Sequence, residues 1–164
     1  MNIYQALSNS YSLLINKSKT YKLDCEILLA ETLHIENRLN LFLNLDKKLT
    51  ENEINTFFRT IKEREKLKPI PKITRKKEFW NFEIDIIKRV LIPRPETEVL
   101  LDLVSKVFKK NSNIRFLDIG CGSGCITLSL LSIFLNSHGE AFDISKEAVI
   151  NTKLNLKKHH KLNR

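Results

Sequence analysis

The sequence predicts an α/β protein with an N-terminal helical module, a β-hairpin connector and the first part of a parallel βαβ region. Three observations give this prediction. Three of the four glycines in 164 residues lie at positions 120, 122 and 124, between a β-type run and an amphipathic helix. All four prolines lie between positions 69 and 95, which marks a connector. Before that connector, apolar residues recur at helical spacing.

The first part of the chain, residues 1–75, is predicted to be a helical module. Thr50 and Glu53 match a capping box that opens a helix, and Pro69 follows its end. The acids and bases of this module are expected to lie on solvated faces. Its predicted apolar faces are Ile3, Leu7, Tyr11, Leu14 and Ile15; Ile27, Leu28, Ala30 and Leu33; and Ile54, Phe57, Phe58 and Ile61, with a short apolar segment at 39–45.

Residues 76–95 are predicted to form the hairpin connector. The alternating, aromatic run 79–86 predicts one strand, and 88–92 predicts its antiparallel partner. Pro95, Glu96 and Glu98 are typical of a helix start. The apolar residues of that helix are Val99, Leu100, Leu103, Val104, Val107 and Phe108.

The glycine-rich segment predicts a ligand-binding loop. A strand over 114–119 and a helix carrying Ile126, Leu128 and Leu131 flank it. Glycine permits positive φ and close approach of a ligand to the backbone, and amides at a helix N-terminus favour an anion. A dinucleotide loop would follow Gly-x-Gly-x-x-Gly, but Cys125 stands where the third glycine belongs. A glycine turn without any ligand is the simplest alternative.

Composition excludes several classes of protein. No apolar run reaches the roughly 20 residues of a membrane span, and the N-terminus lacks a signal-peptide layout. Three cysteines cannot form a complete disulfide framework, and no zinc-ligand spacing is present, so no metal is predicted. Buried, reduced thiols indicate a cytoplasmic protein. The net charge of +9 favours a solvated lysine-rich surface over direct nucleic-acid binding.

Asp118 before the loop completes Asp-x-Gly-x-Gly-x-Gly, which resembles the first motif of class I S-adenosylmethionine-dependent methyltransferases. Four further segments, 24–30, 64–70, 77–80 and 91–98, resemble landmarks of the protein-(glutamine-N5) methyltransferases. Those enzymes methylate the glutamine of the Gly-Gly-Gln motif in peptide chain release factors. The resemblance implies a substrate-recognition role for 1–75 and a partial Rossmann-like S-adenosylmethionine-binding domain over 96–164. In the family, the segment equivalent to 91–98 closes over the cofactor site.

The resemblance also implies the cofactor-binding residues. Asp143 lies 25 residues after Asp118, at the predicted end of the second strand, where an acid can accept hydrogen bonds from both ribose hydroxyls. It could instead be an N-terminal charge for the helix 146–158, which Ser145 would cap and whose inward residues are Ala148, Val149, Thr152 and Leu156. The predicted cofactor-binding residues are Gly120, Cys121, Gly122, Ser123, Gly124 and Asp143, with Asp118 in support.

The sequence departs from the family in three places. Arg75 replaces a glycine turn, and 138–140 is polar where a strand should be apolar. The chain also stops at Arg164 before the third strand, and it contains no Asn-Pro pair of the acceptor motif. No catalytic residue is therefore predicted. The chain alone is expected to be marginally stable and to bind the cofactor weakly, with an open strand edge at 114–119.

Four hypotheses about function follow. The first is methylation of release-factor glutamine with S-adenosylmethionine. The alternative is a non-catalytic release-factor-binding fragment or a decayed-gene product. A nucleic-acid amino-methyltransferase and a dinucleotide dehydrogenase are more distant, because segment 91–98 and the loop spacing argue against them.

Overall fold

The computed structural model describes residues 1–163 and divides into two compact units, Met1–Thr74 and a second that begins at Arg75. The first unit contains α1 (Ile3–Leu14), α2 (Tyr21–Thr32), a 3₁₀ turn (Arg38–Leu41), α3 (Glu51–Glu65) and α4 (Ile70–Thr74). The second contains β1 (Lys76–Phe79), β2 (Phe82–Asp85), a 3₁₀ turn (Pro95–Thr97), α5 (Glu98–Val107), β3 (Arg115–Ile119), α6 (Cys125–Ile133), β4 (His138–Phe142) and α7 (Lys146–Lys158). The predicted fold class is confirmed.

In the first unit, capping boxes open α1 and α3, and apolar residues of three helices form one core. The capping box of Thr50 and Glu53 is confirmed, with both reciprocal hydrogen bonds present. The core joins α1, α2 and α3 through Ile3, Leu7, Leu14, Leu28, Phe57 and Ile61. Ile15, expected in the core, is 52% exposed. A helix turns about 100° per residue, which puts Ile15 roughly 120° around from Ile3 and beyond the buried stripe.

The expectation that the acids and bases of this module are solvated is wrong for Glu26, which is buried and paired with Arg38, and most clearly for Asp24. Its side chain is almost fully buried and accepts hydrogen bonds from Arg64 Nε at 2.8 Å, Ser18 Oγ at 2.7 Å and Thr20 Oγ1 at 3.0 Å. A buried carboxylate persists only when charge pairing and hydrogen bonds replace its water. Arg64 also donates to the Lys68 carbonyl and the Ser18 hydroxyl, so the pair joins the end of α3 to the α1–α2 connection.

The position of the predicted hairpin strands is also wrong. The antiparallel strands are β1 and β2, joined by a two-residue turn at Trp80 and Asn81, with Phe79 opposite Phe82. The run 79–86 therefore contains the turn itself, and 88–92 forms no strand. Two-residue hairpin turns favour positive φ, which Trp80 adopts at 54°. Because neither turn residue is glycine or proline, the alternation continues through the turn in the sequence and conceals it.

The parallel strands β3 and β4 pair in register from Arg115 with His138 to Ile119 with Phe142. The glycine in β4 has a packing reason, since Gly139 lies opposite Phe116 and a Cβ there would stand 2.2 Å from its ring. The polar residues on either side of it, His138 and Glu140, are exposed. On the other face of this strand pair, Leu117 and Ile119 are 56% and 79% exposed. On α5 only Leu101 is buried, while most of the predicted apolar residues, Val99, Leu100, Leu103 and Val107, are exposed.

Arg75→Gly is expected to stabilise the chain. Arg75 is exposed and has φ of 65°, a conformation that costs a residue with a Cβ roughly 1–2 kcal/mol. Glycine loses more conformational entropy than arginine on folding, and this offsets part of the gain. We therefore expect the free energy of unfolding, measured by urea denaturation, to rise by about 0.5–1 kcal/mol. Lys77→Gly, two residues later within β1, is the matched control and should lower stability by a similar amount. A loss of stability in both variants would contradict the assigned backbone.

Candidate functional site

The candidate site is the loop between β3 and α6, where the backbone takes a course that requires glycine. Gly120, Gly122 and Gly124 have φ of 84°, 57° and 79°. The amide of Gly124 donates to the Cys121 carbonyl at 2.7 Å, and α6 begins at the next residue. Only glycine adopts these angles without a steric penalty, so the alternating spacing follows from the turn itself.

The glycines at the two ends of the loop have different surroundings. A Cβ on Gly124 would stand 2.8 Å from Thr152 Cγ2 and 3.0 Å from its Cα, because α7 packs directly against the loop. A Cβ on Gly120 would have no heavy atom within 4 Å. The α7 side of the loop is therefore closed by protein, whereas the space at Gly120 is open to a ligand.

Asp143 follows β4 and holds the middle of the loop. Its Oδ2 accepts the Gly122 amide and its Oδ1 accepts the Ser145 amide, both at 2.9 Å. Hydrogen bonds from the backbone amides of Ser145 and Gly122 lower the pKa of Asp143 below its usual value, so the carboxylate is ionised at neutral pH. Each oxygen has a second lone-pair position, so Asp143 keeps capacity for about two more donors. The alternative helix-start position of Asp143 is compatible with this, since Ser145 caps α7 through the Ala148 amide.

Asp118, near the end of β3, bonds to the helix that follows the loop. Its buried carboxylate accepts the hydroxyl of Thr127, in the first turn of α6, at 2.5 Å. This contact joins the end of β3 to the helix that follows the loop. The carboxylate of Asp118 is thus turned into the protein.

Most loop amides donate within the chain. The amides of Gly120 and Cys121 donate to the Phe142 carbonyl at 2.8 and 2.9 Å, and those of Gly122 and Gly124 donate to Asp143 and Cys121. The sequence predicts an anion preference for the amides at the N-terminus of α6, and of these the Gly124 amide is already engaged within the chain. A pyrophosphate would find these four loop amides already engaged, which disfavours the dinucleotide hypothesis.

The side chains of Cys121 and Ser123 are buried, so a ligand could reach these residues only through their backbone. The Cys121 thiol contacts the Thr152 hydroxyl at 3.3 Å. Burial raises the pKa of both Cys121 and Cys125, and raises that of Cys25 to about 11, so all three are neutral thiols at pH 7. Within residues 1–163 no group of three or more His, Cys, Asp or Glu side chains could hold a metal ion.

Two residues that donate to the loop backbone, Thr152 and Asn155, are not among the site residues that the sequence predicts. Thr152 donates to the Gly122 carbonyl at 3.3 Å, and Asn155 donates to the Ser123 carbonyl at 2.9 Å. Asn151, one turn before Asn155, bonds the backbone after β2. The sequence signal of the two asparagines is their spacing of four residues inside the helix. Thr152 was correctly predicted to point inward.

Two family models match separate parts of this chain. Residues 5–74 match the family model described as PrmC N-terminal domain, and residues 96–163 match the methyltransferase small domain. A release factor glutamine methyltransferase from Coxiella burnetii is 34% identical over 159 residues, which cover 97% of this chain and 57% of that protein. Its counterpart from Leptospira interrogans is 43% identical over 129 residues, covering 78% and 45%.

Over almost its whole length the chain is similar to release factor glutamine methyltransferases. A third member, from Clostridium acetobutylicum, is 35% identical over 94% of this chain. The chain spans about half the length of the curated relatives it matches. The family resemblance predicted from the sequence is thus confirmed.

No helix within residues 1–163 is long and apolar enough to cross a membrane.

The surroundings of the two end glycines predict different effects of the same substitution. Gly124→Ala combines positive φ with a contact against the backbone of Thr152, so the free energy of unfolding should fall by about 2 kcal/mol or more. Gly120→Ala carries only the conformational penalty and should lose about 1–2 kcal/mol. Urea denaturation of both variants measures the difference. Equal losses would show that α7 does not close the loop at Gly124.

Proposed function

We propose that this chain binds S-adenosylmethionine at the loop formed by residues 120–124, with Asp143 accepting the ribose hydroxyls and Asp118 supporting the loop. The observation that carries the proposal is the hydrogen bonding of the Asp143 carboxylate. Its two oxygens each hold one backbone amide and each keep a lone pair, which suits two neighbouring hydroxyl donors. The open space at Gly120 allows a ligand to approach the backbone.

The engaged loop amides support S-adenosylmethionine over a dinucleotide. The methionine part of this cofactor carries an ammonium group, which needs acceptors, whereas a pyrophosphate needs donors. Four of the five loop residues, 120, 121, 122 and 124, already use their amides within the chain. The loop is therefore better suited to the cofactor of the family than to NAD.

The relatives' names support methylation of release-factor glutamine as the reaction to which this site contributes. S-adenosylmethionine would supply an electrophilic methyl group. The glutamine amide nitrogen of a Gly-Gly-Gln motif would gain that methyl and lose a proton, and S-adenosylhomocysteine would leave. We assign cofactor binding to residues 118–143 and contact with the release factor to residues 1–75. We assign no catalytic residue that would act on the glutamine amide.

Asp143→Asn tests the assignment directly. The change keeps the shape but removes the charge and one acceptor oxygen, so the affinity for S-adenosylmethionine should fall about tenfold, measured by calorimetry at pH 7. Glu147→Gln is the matched control, because Glu147 lies in the first turn of α7 and its carboxylate bonds to Ser145 and Arg89, outside the loop. Its affinity should stay within about twofold of the original chain. Equal affinities in all three proteins would remove Asp143 from the site.

The function itself is tested by three measurements on the same preparation. We expect binding of S-adenosylmethionine to exceed that of NAD, retention of a release factor in a pull-down, and transfer of labelled methyl to its Gly-Gly-Gln glutamine. Retention of the release factor without cofactor binding or transfer would support the non-catalytic alternative. Tighter binding of NAD would overturn the proposal.

A further inference from the structure

Helix α7 carries two asparagines on the face that it turns toward the hairpin. Asn151 and Asn155 are four residues apart, so they lie one above the other on the helix surface. Both are 0% exposed. Amide side chains are rarely buried to this extent unless all their polar atoms find partners.

Both amides bond to backbone groups along the end of β2. Asn151 accepts the Ile87 amide and donates to the Asp85 carbonyl, each at 2.7 Å. Asn155 accepts the Asp85 amide at 2.9 Å and donates to the Asp85 carbonyl at 3.0 Å. The strand pairs with β1 on its other side, so these side chains take the place of a further strand. They satisfy backbone groups that would otherwise be buried without partners.

Asn155 makes one contact that Asn151 does not. Its amide nitrogen also donates to the Ser123 carbonyl, inside the glycine loop, at 2.9 Å. The same peptide plane carries the Gly124 amide, which donates to the Cys121 carbonyl at 2.7 Å. Both polar groups of the Ser123–Gly124 peptide are therefore held, which fixes its orientation where Gly124 adopts positive φ.

The hairpin held by α7 is also bonded to the start of α5. The amide of Trp80, in the hairpin turn, donates to Glu98 Oε1 at 2.8 Å. Glu98 ends the proline-containing segment 91–98. Hydrogen bonds thus run from the glycine loop through Asn155 to β2, and from the hairpin turn to that segment.

We infer that Asn155 is a positioning residue for the cofactor loop: by holding the Ser123 carbonyl it sets the backbone that faces the ligand. This inference rests on the proposed cofactor site. Asn151 serves only to dock the hairpin, because its hydrogen bonds reach β2 and the residue after it but not the loop. The two asparagines therefore offer a comparison within one helix, with the same residue type and burial.

The test compares Asn155→Ala with Asn151→Ala in the full chain. Both remove two hydrogen bonds to the end of β2, but only Asn155→Ala releases the Ser123 carbonyl. We expect exchange of the Gly124 amide hydrogen to become about tenfold faster in Asn155→Ala than in Asn151→Ala. Affinity for S-adenosylmethionine, measured below the unfolding transition of both variants, should fall about fivefold or more in Asn155→Ala and less than twofold in Asn151→Ala.

A second pair guards against loss of folding. If either alanine variant fails to fold, Asn155→Leu and Asn151→Leu give the same comparison with the side-chain volume largely kept. Equal exchange rates at Gly124 in the paired variants would overturn the inference. Absence of S-adenosylmethionine binding in the unmodified chain would overturn the proposed function, whereas the exchange of Gly124 would still decide the role of Asn155.

Discussion

The second unit depends on hydrogen bonds that hold an irregular glycine loop from two sides. On one side, Asp143 accepts a hydrogen bond from the Gly122 amide. On the other, Asn155 donates to the Ser123 carbonyl and Thr152 donates to the Gly122 carbonyl. A loop with three positive-φ glycines has many conformations in the unfolded chain, so a single course requires specific partners. Those partners come from β4 and α7, and the site is therefore complete only after both have packed.

Two of the four glycines lie where a Cβ would be crowded. Gly124 faces Thr152 and Gly139 faces the Phe116 ring, and in both places a Cβ would meet protein atoms. Elsewhere the chain adopts positive φ without glycine, at His34, Leu67, Arg75, Trp80, Arg89 and His160. Most of those side chains are exposed, so their penalty is conformational rather than steric. Arg75 thus keeps the backbone conformation of the glycine turn that the family resemblance implies.

Charge is distributed differently in the two units. The first unit buries Asp24 with Arg64, whereas Lys158 of the second unit pairs with Glu83 and Asp85 near the surface. Exposed pairs contribute little to stability, while a buried carboxylate needs its partner for the unit to fold. The net charge of +9 therefore comes from exposed side chains. The buried charge of Asp24 is neutralised by its neighbour Arg64.

The sequence by itself determined the features that depend on neighbours along the chain. The Thr50 capping box, the loop between β3 and α6 and the inward face of α7 involve residues only a few positions apart, and the motifs that indicate the family lie in continuous segments. The tertiary structure decided the hairpin turn, which aromatic alternation conceals. It also decided the burial of Asp24 and the contacts of Asn155 with Asp85 and Ser123, which lie 70 and 32 residues away. From the sequence alone, such an amide or carboxylate is predicted to be solvated. Its burial becomes favourable only through hydrogen bonds to a partner that is distant in the sequence.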